Sequence, residues 1–268
     1  MPLISVIMGV YNCKDFSLLK KSVKSIVNQT FKDWELIICD DGSDNDTYQK
    51  LLDVATIDSR IKIIGYKENK GLAHALNECI KHSKGKYIAR QDDDDVSLPN
   101  RLEKELSFIT ENSEYDIVGT NAKVYNDLGI WGDYVIPEYP SVNDFLWNSP
   151  FLHPTVIMKK EKLLAVNGYR EAKETRICED YDLFMRMYAE GCRGVNLQEF
   201  LYEYRIENGN TKKRPMKYRV DEMIVRYKNF KKLKLGIKSY PYIIKPILLG
   251  LIPQFIFKLI KRKVYQFK

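Results

Sequence analysis

The chain has 268 residues, 44% of them hydrophobic and 29% charged, a composition that excludes a disordered segment and suits one large globular domain with a buried core. The formal charge of +7 is unevenly spread: residues 211–268 hold 17 Lys/Arg against 2 Asp/Glu, whereas residues 1–210 hold 26 against 34. With an acidic body, a basic extension and no motif that reads bases, a nucleic-acid partner is excluded.

The first segment, "LISVIMGVYN", is a β-rich apolar run that ends on a turn-forming Asn; it lacks the basic start and long apolar stretch of a signal peptide. "SLLKKSVKSIVNQT" then spaces Leu18, Leu19, Val23, Ile26 and Val27 as one helical face. "WELIICDDGS" is a second apolar strand stopping on acids and Gly, residues 46–57 read as a helix, and "RIKIIGY" is a third strand. "GLAHALNECIKHSKG" predicts a helix closed by Gly85, "KYIARQ" a fourth strand, and "LPNRLEKELSFITEN" a helix with Pro99 near its start. "YDIVGTNAKVY" is a further strand.

Strands that are apolar throughout and alternate with helices predict an α/β fold, a mostly parallel sheet covered on both faces. Ligands of such sheets bind beyond the carboxyl ends of the strands. Three polar clusters fall there: Tyr11 and Asn12, Asp40 and Asp41, and Asp92 to Asp95. Past residue 125 the alternation fades into a loop-rich stretch over 126–155, then "TVIMKK" (strand), "EKLLAVNG" (helix) and the amphipathic "ICEDYDLFMRMYAEG". No linker separates a second catalytic domain.

The run "ARQDDDDVSL" demands a physical reason. Adjacent carboxylates about 6 Å apart repel by roughly 3 kcal/mol at an effective dielectric near 20. A solvated acidic turn tolerates this; so does a hard divalent cation, Mg²⁺ or Mn²⁺, which takes oxygen ligands and shares its shell with phosphates. If the segment is extended, Asp92 and Asp94 face one side and Asp93 and Asp95 the other. "CDDGSD" reads either as a turn with Ser43 or Asp44 capping the next helix, or as an acid receiving the imide N–H of a pyrimidine beside Tyr11 and Asn12. "EDYD" reads as acids welcomed by a helix N-terminus or as a general base.

"SVIMGVYN", "SIVNQTFKDWELIICDDGSDNDT", "ENKGLAHALNECI", "KGKYIARQDDDDVSLPNRLEKE" and "CEDYDLFMRM" resemble, in that order, the inverting family-2 glycosyltransferases of GT-A fold. The resemblance covers residues 1–210. It implies a nucleotide-binding half (1–100), an acceptor and catalytic-base half (101–210), a nucleotide-diphosphate-sugar donor and a divalent metal. It places Val10, Tyr11, Asn12, Asp40, Asp41, Gly71, Asp92 and Asp93 at the nucleotide, and Asp94 with Asp92 at the metal. It makes Asp180 the base, with Glu179 beside it. The family often closes its core with "Y-R-x-H"; here "YRIENGNTKKR" puts Glu207 at the His position. Arg205, Lys212, Lys213 and Arg214 are then expected to close over the diphosphate. His153 in "FLHPTV" and Trp147 fall where the sugar or acceptor is expected, or else pack in the core.

The extension 211–268 mixes lysines and aromatics with short apolar stretches. Its longest uncharged run, "PILLGLIPQFIF", has 12 residues and two prolines, against the roughly 20 of a membrane-spanning helix. An amphipathic helical element on an anionic membrane surface is expected, with a packed subdomain or homodimer contact, and insertion into the membrane, as the other readings. Five widely spaced cysteines without a C-x-x-C pair predict a reducing compartment. The resulting expectation is a cytoplasmic, membrane-peripheral transferase that moves a sugar, from a UDP-sugar by preference, to a hydroxyl of a glycan or lipid-linked acceptor in surface polysaccharide synthesis. Transfer to a polyprenyl phosphate and a non-catalytic sugar-nucleotide binder are the rival readings.

Overall fold

The computed structural model describes residues 1–207 and 214–252. The first half alternates as the sequence predicts, with β1 (Ile4–Val10), α1 (Phe16–Val27), β2 (Trp34–Asp40), α2 (Thr47–Ala55), β3 (Ile61–Gly65), α3 (Leu72–His82), β4 (Tyr87–Arg90) and α4 (Arg101–Glu111), and adds an unpredicted two-residue strand, β5 (Val96–Ser97). The second half contributes β6 (Ile117–Asn126), β7 (Gly129–Tyr134), β8 (Ile157–Lys159), α5 (Lys160–Ala165), α6 (Glu179–Ala189) and β9 (Gly194–Arg205). Two helices, α7 (Met216–Lys232) and α8 (Tyr240–Leu251), follow.

The strands form one sheet in the order β3-β2-β1-β4-β8-β6-β9-β5, with β7 on β6. The block β3-β2-β1-β4 is wholly parallel, which brings the ends of β1, β2 and β4 to one edge. β8 runs antiparallel to β4 and β6, while β6 and β9 are parallel. Alternation sorts the apolar side chains. Ile4, Val6, Met8, Leu36 and Ile38 face a core with α1, α2 and α4, whereas Ile7, Ile37 and Cys39 face one with α3, α6 and α7.

Three expectations are corrected. Residues 126–155 hold β7, and β9 is a 12-residue strand in a stretch not read as one. Gly85 does not close α3; Ser83 caps it, and Gly85 lies against β1, where an added Cβ would sit 2.5 Å from the Ser5 nitrogen. The described part of the basic extension packs on the body, as its second reading allowed. Val225 and Phe230 of α7 and Ile243 of α8 join the α3–α6 core, and Asn229 Nδ2 donates to buried Asp182 of α6 at 2.8 Å. Among the described residues, no helix is long and apolar enough to cross a membrane.

Candidate active site

The ends of β1 and β2 are tied together before any ligand arrives. The Asp41 N–H donates to the Val10 carbonyl at 2.8 Å. Asn12 takes a left-handed conformation (φ 48°), and its N–H donates to Ser43 Oγ at 2.9 Å. Ser43 donates in turn to Asp40 Oδ1, so it braces the turn and does not cap α2, whose N-cap is Asp46. Tyr11, next to this frame, is 49% exposed and presents a ring to solvent.

Asp41 and Asp40 then differ. The Asp41 carboxylate accepts from the Tyr66 hydroxyl (2.5 Å), Asn69 Nδ2 (2.9 Å), the Lys70 N–H (3.0 Å) and the Gly71 N–H (2.9 Å). It organises the loop into α3. Among the described residues Asp40 Oδ2 accepts no bond, so Asp40 is the acid of the pair free to receive a base N–H.

The four aspartates after β4 do not alternate as in a strand, because residues 93–94 form a turn. Gln91 Nε2 donates to the carbonyls of Asp92 and Asp95 at 3.2 Å each, Ser22 Oγ to the Asp92 carbonyl at 2.6 Å, and the Tyr125 hydroxyl to the Asp94 carbonyl at 2.6 Å. The carboxylates fan apart. Asp92 Oδ1 accepts from the fully buried Arg90, and Asp95 Oδ1 takes the Arg205 N–H at 2.7 Å. Burial, then the charges of its neighbours Asp94 and Asp92, pushes Asp93 up to about 7. Burial, then Asp92, pushes Asp94 up to about 6.

Glu179 and Asp180 occupy the first turn of α6, where the helix dipole favours anions. Burial outweighs that help: it raises Asp180, and burial together with the Asp180 charge pushes Glu179 up to about 8. Glu179 feels both Arg90 and Asp92, and Asp180 feels Asp92. Two acid clusters nearly ninety residues apart in sequence thus share one electrostatic neighbourhood, with Arg90 paired to Asp92 inside it.

His153 is buried, its Nε2 lying 2.7 Å from the Tyr169 hydroxyl and its ring edge-on to Phe184. Burial, reinforced by Arg90, drives its pKa well below the usual value, so it is neutral. Tyr169, the partner of His153, lies within the field of Arg90, Glu179, Asp180 and Asp92. Trp147 is not core: it is 66% exposed, edge-on to Tyr242 of α8. Arg205 Nη2 donates to Asp127 (2.8 Å) and to Glu207. Lys212 and Lys213 lie outside the described residues.

The donor set suits a hard divalent cation: carboxylate oxygens only, crowded enough to raise Asp94, with internal relief supplied to Asp92 by Arg90. Among the described residues no three His, Cys, Asp or Glu side chains converge to hold an ion by themselves. An ion here would complete its shell with ligand oxygens and water. Arg90, Tyr169 and Gln91 touch or bear electrostatically on the acid clusters, and the motifs did not name them. A charged residue ending the apolar strand "KYIARQ" is the signal that could have found the first.

A parallel first half with acids at its strand ends and a carboxylate pair at the start of α6 fit the GT-A fold. The "Glycosyl transferase family 2" model matches residues 5–165, and the chain belongs to that family. It is 41% identical to the Bacillus subtilis (strain 168) protein named "Putative glycosyltransferase EpsE", over 94% of this chain and 90% of that one. It is 32% identical to an Escherichia coli UDP-Gal:alpha-D-GlcNAc-diphosphoundecaprenol beta-1,3-galactosyltransferase, over 84% of this chain and 82% of that one. Its fold matches that of S. aureus TarS 1-349 in complex with UDP-GlcNAc, with a TM-score of 0.68 at 18% identity, covering 94% of this chain and 82% of that one. Its place is with the glycosyltransferases of bacterial polysaccharide and lipid-linked glycan synthesis.

Proposed function

We propose that the chain is a metal-dependent inverting transferase that moves a hexosyl or N-acetylhexosaminyl group from a UDP-sugar to a hydroxyl of a lipid-linked glycan. The observation that carries this reading is the meeting of Asp92 and Arg90 with Glu179 and Asp180 in one electrostatic neighbourhood. In-line displacement needs a leaving-group side and an attacking side, and these two clusters supply them. The donor and acceptor classes are taken from the names of the similar proteins, which include UDP-GlcNAc and a diphosphoundecaprenol-linked sugar.

In this reading Tyr11 stacks on the base and the open oxygen of Asp40 takes its imide N–H. Asp94, with the second oxygen of Asp92, would hold Mn²⁺ or Mg²⁺, which when bound offsets charge on the departing diphosphate. Arg90 fixes the Asp92 carboxylate and leaves one oxygen outward. Asp180 removes the acceptor hydroxyl proton, its raised pKa bringing it nearer the basicity such a transfer requires. The basic extension holds the enzyme on the cytoplasmic face of an anionic membrane, where a lipid-linked acceptor is presented.

Calorimetry with UDP, with and without Mn²⁺, and transfer assays on Asp180→Asn test the reading. The variant is expected to keep its UDP affinity while transfer falls by about 10²–10⁴-fold. Metal-independent UDP binding would remove the metal from the scheme, and wild-type turnover by Asp180→Asn would remove the base.

A further inference from the structure

Basic side chains gather round one carboxylate beside the first turn of α6. Arg226 of α7 is buried; its Nε lies 3.1 Å from Glu222 Oε1, and its Nη1 and Nη2 donate to the carbonyls of Leu146 (2.9 Å) and Trp147 (3.2 Å). Its guanidinium carbon is 5.0 Å from the ring centroid of Tyr181, the residue after Asp180. Arg214 lies 3.8 Å from the second Glu222 oxygen, and its charge is felt by Asp180. Arg219, one turn on, lies in the field of both Glu222 and Arg214. From α8, Lys245 Nζ donates to the Trp147 carbonyl and sits 3.9 Å from the Trp147 ring centroid.

Among the described residues, Arg214, Arg219, Arg226 and Lys245 lie about Glu222, with Asp180 in the field of Arg214, so basic groups outnumber acids at this edge of α6. The other acid of α7, Asp221, lines a different cleft with Lys173, Arg176 and Lys217. Burial, then the like charges of Arg226 and Arg219, pushes Lys245 down to about 8. Such a concentration is relieved by a multiply charged anion, and forked guanidinium and ammonium donors suit a diphosphate ester.

A transferase of the kind proposed meets two diphosphates, the donor's and that of a lipid-linked acceptor. The donor's is accounted for by Asp92 and Asp94 after β4. The basic cluster instead adjoins α8, whose Tyr240, Ile244, Leu248 and Leu251 are exposed along one face, with exposed Trp147 beside Lys245. We infer that Arg214 and Lys245, backed by the field of Arg219 and Arg226, form a subsite for the diphosphate of the acceptor, whose lipid leaves along the apolar face of α8. The inference rests on the lipid-linked acceptor class proposed above.

The test is equilibrium binding to the full chain of three probes: N-acetylglucosaminyl diphosphate on a phenoxyalkyl chain, the methyl glycoside of the same sugar, and UDP. The wild type is expected to bind the diphosphate probe more tightly than the methyl glycoside. Lys245→Gln and Arg214→Gln each weaken the diphosphate probe about tenfold, Lys245→Arg retains it, and UDP affinity stays constant in all three variants. Diphosphate-probe affinities equal to wild type in both Gln variants overturn the subsite. Loss of UDP affinity in their place overturns it too, by assigning the cluster to the donor. A wild type that binds UDP but not the diphosphate probe refutes the subsite and leaves the transferase reading standing; one that binds neither refutes both.

Discussion

Arg90 is buried, carries its charge at the end of β4, and spends one donor on Asp92 while lying within reach of Glu179. In the proposed mechanism its charge therefore acts on both the leaving-group side and the attacking side of the site. Burial lifts both Glu179 and Asp180, and their charges interact, so the pair titrates with shared apparent values. The sign of the pH effect follows. The base acts as carboxylate, so kcat/KM rises as the pH climbs through an apparent pKa above the ordinary carboxylate range. Arg214 favours the charged form of Asp180; Arg214→Gln should move that acid limb to higher pH. A pH–rate profile on a phosphate-free acceptor checks both statements, and a limb at the usual carboxylate pKa, unmoved in the variant, would contradict them. What the sequence carried at this scale was the identity of the acids. Which oxygens are already occupied was not legible, because the partners of Asp41 lie 25 to 30 residues away and those of Asp95 more than a hundred.

Among the elements, α6 owes its position to a buried ionic hub. Asp182 is fully buried and accepts from Arg170 Nη2 (2.7 Å), Arg186 Nε (2.7 Å) and Asn229 Nδ2 (2.8 Å), joining the loop before α6, α6 itself and α7. A buried pair is expensive to assemble, but removing one partner strands the others. Asp182→Ala should lower the unfolding free energy by about 3–5 kcal/mol, measured by denaturant titration, whereas Lys232→Ala on the same α7 should change little. A loss under about 1 kcal/mol for Asp182→Ala would mean that water replaces the carboxylate. Helices α1 to α6 could be read from their spacing and the first four strands as uninterrupted apolar runs, whereas α7 was not read as a helix of its own. β9 could not be read: "GVNLQEFLYEYR" alternates only in part, carries Gln and Glu, and pairs with β6 through register shifts. β5, at two residues, is too short to carry a period. A turn at residues 93–94 was one of two readings of the acidic run; that Ser22 and Tyr125, distant in the chain, help Gln91 to hold it was not legible.

At the level of the whole molecule, charge and apolar exposure are segregated together. The body of residues 1–210 is net acidic, while α7, α8 and the residues that follow carry the excess of Lys and Arg. The described helices of this extension are packed on the α3–α6 core, yet α8 leaves Tyr240, Ile244, Leu248 and Leu251 exposed and sets Lys245 among them. An acidic body is repelled by an anionic bilayer while the basic face is drawn to it, so the molecule would be oriented as well as bound. Each large apolar side chain that leaves water contributes about 1.5–3 kcal/mol, so the apolar face and the basic charge each matter. Leu248→Glu replaces one such side chain with a charge the surface repels. Its co-sedimentation with phosphatidylglycerol-containing vesicles should fall by at least about tenfold. Circular dichroism should be unchanged, because the side chain is exposed. Added salt should weaken the wild type as well, since surface charges are screened within about 10 Å at 0.1 M. Vesicle binding indifferent to both Leu248→Glu and salt would place the membrane contact elsewhere, and with it the approach of the lipid to Asp180.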